Sequence, residues 1–207
     1  INNGCMNVTT AGNRGIYDDT LQGFNTDSGE FTILTWFNFD SVTANDYDLI
    51  GATVGSDGNA IQSGYNIPAC GGNKLCIYID NNGAGWDVVI EESGTKTSWD
   101  NSVNYMFAIR FNGTHYSMFI DAVEDWVKVT STQIADIQEF HFGDTPTGND
   151  GSPFKGAIDE AMFWNRSLSK GELEFLYNSG DGRFATGGTF VIPDISSPKI
   201  NETSINN

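Results

Sequence analysis

Bulky apolar residues at every second position, interrupted by turn-forming residues, give this chain its dominant pattern. The pattern is clearest over 105–111 and 116–120, two alternating runs that flank Asn112–Gly113. A period of two is typical of β-strands, whose successive side chains point to opposite faces. Asn-Gly between two such runs is a strong hairpin signal, because both residues tolerate positive φ. The sequence therefore predicts a hairpin with a type I′ turn at Asn112–Gly113.

Four further runs are typical of strands, at 31–39, 75–80, 139–144 and 156–164. The run FTILTWFNF (31–39) is apolar on both faces, since Leu34 and Trp36 alternate with Ile33 and Phe37. Two apolar faces predict a central strand that is covered on each side. The turn-rich composition, with 24 glycines, agrees with these runs. Together they predict an all-β protein, an antiparallel β-sandwich.

One segment has the pattern of a helix, over 169–178. Ser169 and Glu172 have the spacing of a capping box, and Leu173 and Leu176 fall on one face. Gly180 is placed to end the helix. Because a helix of about ten residues does not persist alone, we expect its apolar face to pack on the sheet.

The net charge of the chain disfavours some classes of binding partner. With 27 acidic and 10 basic residues, the 207-residue chain has a net charge of −17. Such a surface repels phosphate backbones and anionic lipids, which disfavours nucleic acid and membranes as partners. No run approaches the roughly 20 apolar residues that helical membrane insertion requires. We expect one domain over 1–190, followed over 191–207 by a linker or the start of another module.

The segment FKGAIDEAMFWNRSLSKGELEFLYNSG (154–180) resembles the closing signature of laminin-G-like modules. These modules belong to the concanavalin A-like lectin/glucanase jelly-roll superfamily. FTILTWFNF, the hairpin near 105–125 and EFHFGD resemble earlier landmarks of the family, in the same order. Ala122 is a departure, since the family usually has glycine there. The resemblance implies a concanavalin A-like jelly roll with one short C-terminal helix.

The resemblance also implies a function. We expect a non-catalytic recognition or adhesion module, extracellular or at the cell surface, within a longer multidomain protein. A glycan is the expected partner. A surface protein is the alternative, with the module as an interaction or spacer unit of a surface protein or filament. Because this superfold hosts both functions, the fold alone does not choose between them.

A structural Ca²⁺ site is a further implication of the resemblance. It points to Asp159 in the last strand, together with oxygen ligands near 15–19 that include Asp18 and Asp19. Calcium takes six to eight oxygen ligands, mostly carboxylates and backbone carbonyls. The alternative is that the Asp159 carboxylate only caps its own turn by accepting a backbone N–H.

Tryptophans in polar loops are the candidate ligand contacts, because flat rings stack on the apolar faces of sugars. Trp86 lies in the loop NNGAGWD, where Asn82 and Asp87 can bind sugar hydroxyls. Trp99 and Trp126 lie in similarly polar surroundings. The alternative is that these rings cap the ends of the sandwich.

The three cysteines bear on whether the protein is in an oxidising or a reducing environment. Cys70 and Cys76 bracket a tight loop that can bring two strand ends opposite each other, and a disulfide between them fits an oxidising environment. The alternative is a pair of buried free thiols in a reducing one. Cys5 is left without an assigned partner.

The acidic residues and histidines do not form a recognisable catalytic motif. Glycosidases of the superfamily carry Glu-x-Asp-x-Glu in one strand, so that both carboxylates share a face, and this motif is absent. Glu91 and Glu92 are adjacent, so a strand would point them to opposite faces. Neither His115 nor His141 has a nucleophile in a recognisable setting. The sequence therefore predicts a protein that is not an enzyme.

Overall fold

The computed structural model describes residues 6–8, 16–18, 29–42, 47–53, 59–66, 71–79, 90–101, 103–131, 134, 139–143 and 154–182. Within these ranges the chain forms strands and a single α-helix. The strands are β1 (Met6–Val8), β2 (Ile16–Asp18), β3 (Glu30–Phe39), β4 (Tyr47–Thr53), β5 (Asn59–Tyr65), β6 (Leu75–Ile79), β7 (Ile90–Ser93), β8 (Tyr105–Asn112), β9 (His115–Ile120), β10 (Val123–Val129), β11 (Glu139–Phe142) and β12 (Gly156–Trp164). The helix is α1 (Lys170–Tyr177).

The strands form two antiparallel sheets of six. The first sheet has the order β1-β12-β3-β8-β9-β10, and the second has the order β2-β11-β4-β5-β6-β7. Apolar side chains from both sheets meet in one core, to which β3 contributes Phe31, Ile33, Phe37 and Phe39. The predicted antiparallel β-sandwich is confirmed, and every strand predicted from the sequence is present. Among the described residues no helix is long and apolar enough to cross a membrane.

The face of the first sheet that points away from the second sheet, called the outer face below, holds a separate apolar cluster. Leu34 and Trp36 of β3 join Leu173 and Leu176 of α1 there, each of them buried. The helix therefore packs across the sheet as predicted, and β3 is covered on both faces.

Both ends of α1 are fixed by local contacts. Ser169 Oγ accepts the backbone N–H of Glu172, and the Glu172 carboxylate accepts the backbone N–H of Ser169 at 2.8 Å. This confirms the predicted capping box. Asn178, rather than Gly180, is the C-cap and takes the left-handed conformation with φ 47°. A short 3-10 turn then runs to Gly180, whose φ is +97°.

The type I′ turn predicted at Asn112–Gly113 is wrong. Pairing of Phe111 with Tyr116 leaves four residues in that loop, and of Asn112–Gly113 only the glycine has positive φ. Asn112 Oδ1 instead accepts the N–H groups of Thr114 and His115, at 3.1 and 2.7 Å. The side chain thus closes the turn in place of the backbone.

A two-residue turn with two left-handed residues lies at the next hairpin instead. Ile120 pairs with Val123, and the residues between them, Asp121 and Ala122, have φ of 54° and 62°. Ala122 occupies the position where the family usually has glycine. Its side chain is buried in the cluster under α1, and this packing accompanies a conformation that alanine disfavours.

Candidate functional site

Asp159 lies at a bulge in β12. The residue is opposite Trp36, and the register shifts between Asp159 and Met162. Its Oδ1 accepts the backbone N–H of Glu160 at 3.0 Å, and Glu160 has a left-handed φ of 51°. This is the hydrogen bond that the turn-capping alternative requires. A carboxylate can accept through both oxygens, so the bond does not exclude a cation, and calcium binding stays a prediction.

Two carboxylates are adjacent at this bulge. Burial raises the pKa of Glu160, and the neighbouring Asp159 carboxylate raises it further. The Asp159 backbone carbonyl is also engaged, since it accepts the buried hydroxyl of Thr35 at 3.0 Å. The bulge therefore places two carboxylates side by side on the last strand, and the bond from Thr35 holds its backbone.

The other predicted metal ligands are only partly described. Asp18 ends β2 in the second sheet, where its backbone pairs with Phe140, whereas Asp159 belongs to the first sheet. The Asp18 side chain and all of Asp19 lie outside the described residues. Within the described part, no three His, Cys, Asp or Glu side chains form a group that could hold a metal ion. The predicted ligand set remains a prediction.

The predicted ligand-contact and disulfide residues fall in different places. Trp126 lies in β10 opposite Met118 and packs, half-buried, against the core. Asn82, Trp86 and Asp87 lie outside the described residues, so their role stays a prediction. Cys76 is buried in β6, and Cys70 lies outside the described residues, so their pairing also stays a prediction.

A third loop tryptophan, Trp99, organises one end of the sandwich. It belongs to the segment 94–101, which leads from β7 of the second sheet to β8 of the first. The Asp125 carboxylate accepts the backbone N–H groups of Thr95 and Lys96, at 3.1 and 2.9 Å. Trp99 Nε1 donates to the carbonyl of Asn73 at 2.9 Å. These bonds hold the crossing segment in one conformation.

The Trp99 ring is surrounded by other aromatic rings. Its centroid lies 5.0 Å from Tyr105, 5.7 Å from Phe39 and 5.9 Å from Tyr65, each in an edge-to-face arrangement. Lys96 Nζ lies 5.1 Å from the ring centroid. The indole is half-buried, so the cluster closes the end of the core and leaves part of the ring at the surface.

Beside this cluster lies a cavity of about 310 Å³, which we call the end pocket. Its lining residues are Val42, Tyr65, Asn73, Thr97, Ser98 and Trp99. The Tyr65 hydroxyl lies 3.1 Å from the Val42 carbonyl and 3.2 Å from Asn73 Oδ1. Burial raises the pKa of Tyr65, so its hydroxyl stays protonated as a donor.

Polar groups at the rim of the end pocket can form hydrogen bonds with a ligand. Thr97 and Ser98 are exposed, and neither hydroxyl has a hydrogen-bond partner among the described residues. The pocket thus combines an aromatic wall with hydroxyl and amide groups, the combination that binds polyols through ring contacts and hydrogen bonds. Its volume is close to the lower end of ligand-binding cavities.

A laminin G family model described as the Concanavalin A-like lectin/glucanases superfamily matches residues 13–174. The chain belongs to this superfamily. The resemblance drawn from the closing signature is thereby confirmed, together with the concanavalin A-like fold. No protein of curated function matches the chain in sequence.

Solved structures share the superfamily fold at low sequence identity. A Trypanosoma rangeli sialidase in complex with a difluoro-KDN matches at TM-score 0.56 and 16% identity, over 73% of this chain and 23% of the sialidase. The binding domain of botulinum neurotoxin DC in complex with SialylT matches at 0.56 and 15%, over 77% and 38%. The same domain in complex with rat synaptotagmin II matches at 0.52 and 15%, over 72% and 35%. The chain thus spans less than two fifths of each of these chains, and the likeness shows the fold alone.

The end pocket was not predicted, although Trp99 has the same polar sequence surroundings as Trp86 and Trp126. Its lining comes from the 41–42 turn, the β5–β6 hairpin and the crossing segment. The hydrogen bond from Trp99 to Asn73 joins residues 26 positions apart. The only available signal was local, a tryptophan directly after two small hydroxyl residues.

Proposed function

We propose that this protein is a non-catalytic glycan-recognition module, and that the end pocket is a sugar-binding surface. The observation that carries the proposal is the pairing of the half-buried Trp99 ring with the exposed hydroxyls of Thr97 and Ser98. Membership of a lectin and glucanase superfamily supports it. Two proteins of like fold, a sialidase and a toxin binding domain, form complexes with a difluoro-KDN and with SialylT, and this also supports the proposal, although those ligands belong to the whole proteins.

Preorganisation supports the end pocket as a binding surface. The bonds from Asp125 and Asn73 fix the crossing segment before any ligand arrives. A ligand would therefore not bear the entropic cost of ordering this loop. The end pocket suits neutral sugars, because none of its described lining side chains is charged.

A glycan array followed by titration of the best ligand tests the proposal. We expect binding by the wild type and a loss of about tenfold or more in Thr97→Ala/Ser98→Ala, through lost hydrogen bonds. Both residues are exposed, so the variant should keep its melting temperature. Ser131→Ala, another exposed hydroxyl outside the pocket, is the matched control.

The loop predicted from the sequence needs its own variant. If Trp86→Ala removes binding and Thr97→Ala/Ser98→Ala does not, the sugar surface is the 80–87 loop and the end pocket assignment is wrong. If no glycan on the array binds and a purified surface protein does, the protein-interaction alternative replaces the glycan proposal.

We also propose an extracellular or cell-surface setting with a Cys70–Cys76 disulfide. The disulfide bond of Cys76 supports this pairing, since Cys70 lies much closer to it in the sequence than Cys5 does. Mass spectrometry of unreduced peptides from secreted protein should find the two cysteines linked. Free thiols at both positions would remove the support for an oxidising compartment.

A structural Ca²⁺ bound through Asp159 completes the proposal. The crowding of the Asp159 and Glu160 carboxylates supports it, because a bound cation would offset their repulsion. We expect this Ca²⁺ to stabilise the fold rather than to contact a sugar, so melting temperatures with and without Ca²⁺ test it.

A further inference from the structure

A second concave surface lies on the outer face of the first sheet, beyond the area that α1 covers. We call it the outer groove, a cavity of about 360 Å³ between β8, β9 and β10. Arg110 and Asn112 line it from β8, His115 and Ser117 from β9, and Val127 and Val129 from β10, with Glu124 alongside. It lies at the Asn112 end of β8, whereas the end pocket lies near Tyr105 at the other end. The two surfaces are thus separate.

A fixed guanidinium forms one wall of the groove. Arg110 Nη1 donates to the Leu168 carbonyl at 3.2 Å, and its guanidinium carbon lies 4.7 Å from the Phe119 ring centroid. The side chain of Arg110 is only 16% exposed. Its Nε is buried and has no hydrogen-bond partner among the described residues. The charge is therefore held in place by a backbone carbonyl and an aromatic ring.

The acidic partner of this guanidinium is distant. Arg110 Nη2 lies 3.7 Å from Glu124 Oε1, and the Glu124 side chain is 43% exposed. In the pair formed by Arg166 and Glu172 the corresponding distance is 2.7 Å. Burial lowers the pKa of Arg110, and the Glu124 carboxylate opposes that effect only in part. The guanidinium is thus short of a close carboxylate, which an arginine in a partly dry site binds strongly.

Exposed apolar side chains lie next to this cation. Val127 and Val129 are 46% and 72% exposed and lie opposite Ser117 and His115, on the same face as Arg110. Ser117 is fully buried, and its Oγ accepts from Arg110 Nη2 at 3.4 Å, so it helps to hold the guanidinium. A ligand that fits both features carries a carboxylate beside a C–H surface and has hydroxyl groups for the half-buried Asn112. Among the components of glycans, acidic sugars have this combination.

We infer that the outer groove binds the carboxylate of an acidic sugar residue, with Arg110 as its anchor and Val127 and Val129 as the apolar contact. The inference rests on the proposed function, since it assumes a glycan ligand, and it names the class of sugar and a second surface. Glu124 makes one long contact and is partly exposed, so it can turn outward as the ligand carboxylate takes its place at Nη2.

Titration with matched acidic and neutral sugars tests this assignment. The probes are 3′-sialyllactose against lactose, and methyl β-D-glucuronide against methyl β-D-glucoside. We expect each acidic probe to bind about tenfold or more tightly than its neutral counterpart, the gain typical of one charge-assisted pair. Glu124→Gln should tighten acidic binding, because the competing carboxylate is gone. Arg110→Lys should weaken it severalfold, because lysine lacks the planar fork that donates to the Leu168 carbonyl through one nitrogen and to a ligand through another.

Two variants of the same strand keep the test independent of folding. Val129→Asp places a carboxylate at the groove and should abolish the preference for acidic sugars. Val123→Asp is the control, since Val123 is 66% exposed in the same strand and does not line the groove. Equal affinity for acidic and neutral probes, or a preference that survives Val129→Asp, would overturn the inference. Neutral binding at the end pocket would then leave the proposed function intact, whereas no binding to any sugar would overturn both.

Discussion

Trp36 of β3 and Tyr177 of α1 stack on each other, with ring centroids 5.9 Å apart and ring planes inclined by 12°. The contact joins the strand at the centre of the first sheet to the last turn of the helix. Trp36 is buried, so the outer face of the sheet depends on α1 to keep this large ring out of water.

Removing the Tyr177 ring should loosen the helix from the sheet. We expect Tyr177→Ala to lower the free energy of unfolding by about 2 kcal/mol, through lost ring stacking and lost apolar burial. Tyr177→Phe keeps the ring and should cost less than about 1 kcal/mol. Urea unfolding measures both, and equal losses in the two variants would mean that the hydroxyl rather than the stack matters.

Asp121 should make stability fall as the pH rises. Burial raises the pKa of this carboxyl above 3.8, although the N–H of Met106 and the charge of Lys96 oppose the rise. The folded protein then holds the proton more tightly than the unfolded chain, so the contribution is lost as the pH rises from about 3.8 through the folded-state pKa. Asp121→Asn keeps an acceptor for the Met106 N–H, which lies 2.9 Å from Oδ1.

We expect Asp121→Asn to be more stable than the wild type at pH 7 and to show a flatter dependence of stability on pH above about 3.8. The measurement is a series of urea unfolding curves between pH 4 and pH 7. Asp40→Asn, at an exposed aspartate, is the matched control. A wild-type slope that persists in Asp121→Asn would assign the pH dependence to other groups.

Glu160 is a second position where substitution should stabilise. Its φ of 51° is in the left-handed region, which costs a side-chain-bearing residue about 1 kcal/mol relative to glycine. We expect Glu160→Gly to raise the free energy of unfolding by up to about 1 kcal/mol, since it also removes a carboxylate from beside Asp159. Ala157→Gly, in the same strand without positive φ, should cost about 0.5–1 kcal/mol. A loss of similar size in both variants would show that the Glu160 side chain stabilises the bulge.

The fold was predictable where neighbouring residues in the sequence decide the structure. The capping box joins Ser169 to Glu172 within one turn of helix, and the alternation in β3 needs only the period of a strand. The turn at Asn112–Gly113 was mispredicted because register belongs to the whole sheet. Pairing of Phe111 with Tyr116 lengthened that loop, while pairing of Ile120 with Val123 left two residues for the tight turn.

The site was less predictable than the fold. Asp159 is a candidate from the sequence because it lies inside a specific motif, whereas no local pattern indicates the bulge at which it lies. The end pocket and the outer groove need strands that are distant in sequence to come together. Arg110 carried the only sequence signal for the groove, as a lone cation in the apolar run YMFAIRF.

Calcium binding makes a prediction that separates a metal ligand from a turn cap at Asp159. A ligand that binds only the folded state stabilises it by RT ln(1 + [L]/Kd), about 2.7 kcal/mol at a hundredfold excess over Kd. We therefore expect the melting temperature to rise with millimolar Ca²⁺ and to fall again with chelator. Asp159→Asn keeps an oxygen for the Glu160 N–H but loses the charge that Ca²⁺ prefers.

In chelator, Asp159→Asn should melt close to the wild type, because the turn cap at Glu160 is retained. In Ca²⁺ it should fail to gain stability, and Asp159→Ala should fail to gain while also melting lower in chelator. Asp181→Ala, at an exposed aspartate beyond the helix, should respond to Ca²⁺ as the wild type does. A Ca²⁺ response that persists in both Asp159 variants would place the metal elsewhere. A wild type with no response and no metal in elemental analysis would leave Asp159 with the hydrogen bond to Glu160 as its role.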